Sequence, residues 1–135
     1  MDEYSQFFFK QIGPCCGVCV VNTILKMFKK PGVIFSISPV RGTSPKRIMH
    51  ELRKEGLVVK SKRISIRNLK PHSILYYDPP RDHYVVVGEI KNGRALIFDS
   101  ARKKPYWTSL SVLKKNWYGP RRNGWVIEVK PDGCS

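Results

Sequence analysis

The chain has 135 residues, 41% of them hydrophobic and 11% aromatic, and its 25 Lys and Arg against 10 Asp and Glu leave a formal net charge of +15. That length and apolar content exclude a disordered chain and fit one domain over residues 1–135, large enough to bury a core without staples. No apolar run approaches the ~20 residues of a membrane-spanning helix, and Met1-Asp-Glu-Tyr-Ser-Gln6 lacks the basic opening of a secretory signal. The expected location is therefore cytoplasmic, with no transmembrane segment and no transporter domain in this chain.

Such a basic balance predicts attraction to an anionic partner: nucleic acid, an acidic peptide or an anionic membrane face. The cations are dispersed, however, through Lys26, Lys29, Lys30, Lys46, Arg47, Arg53, Lys54, Lys60, Lys62, Arg63, Arg102, Lys103, Lys104, Arg121 and Arg122. No nucleic-acid motif accompanies them, so a solvated basic surface is the simpler reading.

In chain order, residues up to about 12 form an approach segment, and Gly13-Pro14 bars a helix before the cysteines. Val18–Phe28 carries helical spacing at Val20, Ile24 and Met27 and ends near Lys29-Lys30 before Pro31-Gly32. Pro31–Pro39 is a connecting stretch of partial strand character, and Gly42 marks a loop. A second helix takes Ser44 as its N-cap, Pro45 as its first residue and Gly56 as its stop, with Ile48, Met49 and Leu52 inward. Leu57–Ile64 reads as a strand, Ser65–Leu69 as one helical turn, and Ser73–Tyr77 as a short strand.

Asp78–Asp82 makes a rigid turn that leads into the strand His83–Ile90. Asn92-Gly93 is a hairpin signal, and Arg94–Asp99 is the returning strand. A loop then runs through Lys103–Trp107, a short helix covers about Leu110–Asn116, and a strand closes the chain at Trp125–Val129. Helices first and a mostly antiparallel sheet after them give an α+β class.

The chemistry concentrates at Gln11-Ile-Gly-Pro-Cys-Cys-Gly-Val-Cys19. Cysteines at the first turn of a helix meet unpaired N–H groups and the positive end of the macrodipole, which stabilise a thiolate. A thiolate nucleophile needs a base, and the chain has three histidines. His50 falls on a helix surface and His72 in a loop, whereas His83 opens a buried strand. A hairpin turning at Asn92-Gly93 pairs residues whose numbers sum to about 185, so His83 falls near position 102. Asp99 then lies on a neighbouring edge of the same sheet end. A small bulge, or a bend after Asp99, brings carboxylate to imidazole and completes nucleophile, base and orienter. Gln11 is positioned to donate its amide to an oxyanion.

Gln11, Cys16-Gly17 opening a helix, His83-Tyr-Val-Val86 opening a strand and Asp99 ending the next together resemble a papain-like cysteine peptidase. More narrowly, they resemble the bacteriocin-processing, double-glycine leader peptidase domain, and the resemblance covers nearly the whole chain, including Thr43-Ser-Pro45, Leu110–Trp117 and Gly124–Val129. It implies a papain-like fold with N-terminal helices packed on the sheet. It also implies Cys16 as nucleophile, His83 as general base and Asp99 as its orienter, with Gln11 and the Cys16 N–H as oxyanion hole. The substrate implied is a peptide or protein cleaved after small residues such as Gly-Gly or Gly-Ala, with no cofactor and no metal. Two departures stand out: the interval from Gln11 to Cys16 is one residue shorter than the family's usual spacing, and Cys15 replaces an acidic residue.

Two competing readings follow from the same residues. Cys16-Gly-Val-Cys19 is a C-x-x-C at a helix start, as in thioredoxin-like redox modules, although no clear strand precedes it and no β-α-β unit follows. Alternatively, a peptidase fold persists as a catalytically idle basic binding domain. Zinc is disfavoured, because nothing completes a four-ligand set around Cys15, Cys16 and Cys19. Cys19 itself reads as a small core residue on the helix's inner face, and Cys134 lies in a polar tail. Tyr84, Trp107 and Trp117 are candidates for either a substrate groove or the core.

Overall fold

The computed structural model describes residues 16–33, 44–77, 83–100, 102, 104–118 and 124–131. Among these residues six strands form one antiparallel sheet in the order β1-β6-β2-β3-β4-β5. The strands are β1 (Leu57–Ile64), β2 (Ser73–Tyr77), β3 (His83–Lys91), β4 (Arg94–Phe98), β5 (Tyr106–Ser109) and β6 (Gly124–Pro131), and the helices are α1 (Cys16–Met27), α2 (Pro45–Lys54) and α3 (Leu110–Tyr118). A single 3-10 turn, Ile66–Asn68, follows β1.

Alternation along the strands builds two cores, one on each face of the sheet. On one face, Val20, Ile24 and Leu25 of α1 and Ile48 and Leu52 of α2 pack against Tyr84, Val86, Leu96, Phe98 and Ile127. On the other, Leu113 and Trp117 of α3 pack against Leu75, Val85, Val87, Ile97 and Val126. The architecture is the α+β, papain-like arrangement expected from the sequence, with the third helix on the face opposite the first two.

Local chemistry sets the boundaries. Ser44 Oγ accepts the Arg47 N–H at 3.2 Å, Pro45 occupies the first turn, and Gly56 takes φ +84° just past the end of α2. Within α2 Glu51 is buried beside Ile48 and Leu52, where desolvation alone would raise its carboxyl pKa. Hydrogen bonds from Arg47 at 2.9 Å and Lys54 at 3.5 Å, with their charges, outweigh that and hold the carboxyl below its ordinary range. The end of α1 falls at Met27, slightly before the expected Lys29-Lys30. Lys29 adopts φ +58°, and its N–H and that of Lys30 bond back to Lys26 and Leu25 carbonyls, a Schellman closure without glycine.

One expectation needs correction. The segment through Trp107 is not all loop, because Tyr106–Ser109 pairs with β4 as the edge strand β5. The hydrogen bonds of β4 decide this, since only four residues take part and Trp107 remains 42% exposed. Phe7–Phe9, residues 34–43 of the connecting stretch (with Gly42 and Thr43), the Asp78–Asp82 turn, Lys103, Arg121, Arg122 and Cys134 lie outside the described residues.

His72 is more than a loop residue. It takes φ +65°, its N–H bonds the Val87 carbonyl at 2.7 Å, and its ring meets that of Phe28 edge-on at 5.1 Å. Burial pushes its imidazole below the ordinary value of 6.5. A depressed folded pKa contributes stability that is present above 6.5 and is lost as pH falls through the folded value. Denaturant titrations from neutral pH downwards are expected to show this loss in the wild type. His72→Asn, which tolerates positive φ, should show a shallower decline; equal slopes for the two proteins would refute the assignment.

Candidate active site

His83 is the first residue of β3, opposite Tyr77 at the end of β2. Asp99 directly follows the last residue of β4, so both stand at the same end of the sheet. His83 Nε2 and Asp99 Oδ1 are 2.5 Å apart, with side chains only 17% and 11% exposed. A carboxylate that accepts from Nε2–H fixes the ring's orientation and tautomer, leaving Nδ1 to receive a proton from elsewhere. The Arg102 N–H donates to the Asp99 carbonyl at 2.9 Å, and the Arg102 guanidinium lies 4.2 Å from the Tyr106 ring centroid. That turn anchors the backbone from which the carboxylate projects.

The sequence expectation of a small bulge is met at an identifiable residue. Near the turn, Lys91 pairs with Arg94, Ile90 with Ala95 and Glu89 with Leu96, as the sum of 185 requires. Beyond Gly88 the register shifts: Val87 pairs with Ile97 and Val86 with Phe98. Gly88 is the extra residue.

Helix α1 packs on β3. Phe28, just beyond α1, touches His72, which is bonded to Val87 well inside β3. Twelve helical residues rise about 18 Å, and Val20, Ile24 and Leu25 share one core with Val86 and Tyr84. Cys16 is its first helical residue. Of Cys16 the backbone alone is described, and Gln11 and Cys15 lie outside the described residues.

The remaining candidates sort into surface and core. His50 is exposed on α2, as expected. Cys19 is 8% exposed and faces the interior of α1's inner side, which suits a core thiol more than an exchanging partner. Tyr84 and Trp117 are core residues, leaving Trp107 as the exposed aromatic of the three named from the sequence. The sequence reading passed over Gly88 and Arg102. An isolated glycine inside a β-branched run was the available signal for the first, and nothing in the sequence marked the second.

No helix among the described residues is long and apolar enough to cross a membrane. Among the solved structures that share the fold are the following three. The crystal structure of a double glycine motif protease from an AMS/PCAT transporter, in complex with the leader peptide, is 21% identical, covers 92% of this chain and 89% of its own, and has a TM-score of 0.76. The peptidase domain of Streptococcus ComA, a bifunctional ABC transporter involved in quorum sensing, is 20% identical over 92% and 97% of the two chains, with a TM-score of 0.71. That of Streptococcus mutans ComA is 21% identical over 92% and 98%, with a TM-score of 0.65. No curated protein matches the sequence. The model of the peptidase C39 family matches residues 9–121. A sheet end that pairs imidazole with carboxylate, in a chain with a helix that opens on a cysteine, agrees with the family match: the chain belongs to the peptidase C39 family, whose activity is that of cysteine peptidases.

Proposed function

We propose that the whole chain is one cysteine peptidase domain in which Cys16, His83 and Asp99 act as nucleophile, base and orienter. The single observation that carries this reading is the 2.5 Å contact between His83 Nε2 and Asp99 Oδ1. The family match over residues 9–121 supports it.

In this reading His83 Nδ1 takes the proton of the Cys16 thiol, and the thiolate attacks the carbonyl carbon of the scissile peptide. The Cys16 N–H and the Gln11 amide hold the resulting oxyanion. The tetrahedral intermediate collapses as the imidazolium gives its proton to the leaving amine, which departs and leaves a thioester on Cys16. Water, deprotonated by His83, then attacks the thioester and releases the acid product with the thiol restored. Asp99 keeps the ring oriented and stabilises the imidazolium throughout.

The substrate is a peptide with small residues before the scissile bond, of the Gly-Gly or Gly-Ala type. A thiol nucleophile flanked by Cys15 and Cys19 suits a reducing compartment, hence a cytoplasmic site of action. The +15 charge favours encounter with acidic substrates or another anionic partner. A peptide carrying an internal Gly-Gly is expected to be cut after the second glycine by the wild type and left intact by Cys16→Ala. Cleavage that survives Cys16→Ala, or none by the wild type, would contradict the assignment.

A further inference from the structure

Resting on the Cys16–His83–Asp99 reading, we propose that Gly88 is a positioning residue: the bulge it forms in β3 sets Asp99 on the same face of the sheet as His83. The argument is one of parity. Side chains alternate across a sheet, so a one-residue change of register moves a side chain to the other face. Had the pairing at the hairpin turn continued unbroken, its sum of 185 would set Phe98 opposite Val87 and Asp99 opposite Val86. Val86 belongs to the α1 and α2 face, whereas Tyr77, the residue paired with His83, belongs to the α3 face. Imidazole and carboxylate would then project from opposite faces. The extra residue at Gly88 lowers the sum to 184, sets Phe98 opposite Val86 and carries Asp99 to the level of Val85, on the α3 face. The cores record the switch independently. Val85 and Val87 lie on the α3 face before the bulge, and Ile90 packs there after it, three residues on from Val87 where strict alternation would require an even interval.

The position also excludes a side chain. A Cβ on Gly88 would stand 2.3 Å from Phe98 Cε2 and 3.2 Å from Cδ2 and Cζ. Phe98 is 2% exposed within the α1 core and immediately precedes Asp99. Displacing its ring therefore moves the backbone that carries the carboxylate. Bulges beside active sites commonly re-aim a side chain in this way.

The test compares wild type, Gly88→Ala, Gly88→Ala with Phe98→Leu, and Asp99→Asn. Each is assayed for kcat and KM on the Gly-Gly peptide and for the pH dependence of Cys16 alkylation. Gly88→Ala is expected to lose about 10- to 100-fold in kcat with KM unchanged, and to shift its alkylation profile toward that of Asp99→Asn. The smaller side chain in the double variant should return both toward wild type. A purely structural role for Gly88 would lower stability without moving that profile. Wild-type kcat and profile in Gly88→Ala, alongside impairment of Asp99→Asn, overturn the role of the bulge and spare the triad. No effect of Asp99→Asn overturns the triad and this inference with it. Should Gly88→Ala not fold, cross-strand NOEs in the wild type decide the register: Val86 to Phe98 supports the bulge, and Val87 to Phe98 as the directly opposed pair refutes it.

Discussion

His83→Ala is expected to lower kcat/KM by at least about 10³-fold, some 4 kcal/mol of transition-state stabilisation. The ring has two tasks in the proposed mechanism: its Nδ1 generates the thiolate, and the same nitrogen later protonates the leaving amine. Alanine removes both, and Asp99 is left without the Nε2–H it contacts at 2.5 Å. Cys16→Ala should be at least as severe. The double variant should be no worse than Cys16→Ala alone, because a base without a nucleophile contributes nothing further and residues acting as a unit are not additive. Steady-state kinetics on the Gly-Gly peptide measure all three. Additive losses in the double variant would mean that the two residues act independently.

The second large effect concerns stability. Trp117 is 1% exposed and is the largest fully buried side chain; its Nε1–H donates to the Trp125 carbonyl at 2.8 Å. A Cβ on Gly124 would stand 2.7 Å from its ring, so the indole and the start of β6 are fitted to each other. Trp117→Ala removes that volume, leaves a carbonyl without its donor, and detaches α3 from the sheet. The expected loss is about 3–5 kcal/mol, a large fraction of the ~5–15 kcal/mol of a typical domain. Trp117→Phe should recover much of the packing but not the hydrogen bond, and should fall between the two. Urea denaturation followed by circular dichroism reads the order; a Trp117→Ala midpoint equal to wild type would show that the α3 core is dispensable.

The sequence made β1 and β2 legible because apolar runs there end at strong turn residues. Leu57–Ile64 and Ser73–Tyr77 match β1 and β2 residue for residue. The cap of α2 was equally readable, since Ser44, Pro45 and Gly56 each have a local reason to be where they are. The edge strand β5 was harder to read. Tyr106-Trp-Thr-Ser109 has neither length nor alternation, and its strand character comes from the exposed edge of β4. The interior of β6 also conceals its length, because Gly124 is required by Trp117 packing and buried Glu128 is neutralised by Lys62 at 3.0 Å.

At the candidate site, residue types and their order could be read directly, whereas their relative placement depends on tertiary contacts. Hairpin counting brought Asp99 near His83 and called for a small bulge or a bend after Asp99, without locating the bulge. The location follows from a ring, that of Phe98, lying where only glycine leaves room. The packing of Phe28 on His72 likewise joins segments far apart in the chain.

The most direct measurement is the rate of iodoacetamide reaction at Cys16 as a function of pH, resolved from Cys15, Cys19 and Cys134 by peptide mass spectrometry, in wild type and His83→Ala. If a proton passes between this sulfur and this imidazole, the wild-type thiol reacts rapidly well below the ordinary cysteine pKa of ~8.5. In His83→Ala that low-pH reactivity should disappear. Superimposable profiles for the two proteins would show that the imidazole does not govern the thiol, and would contradict the catalytic assignment.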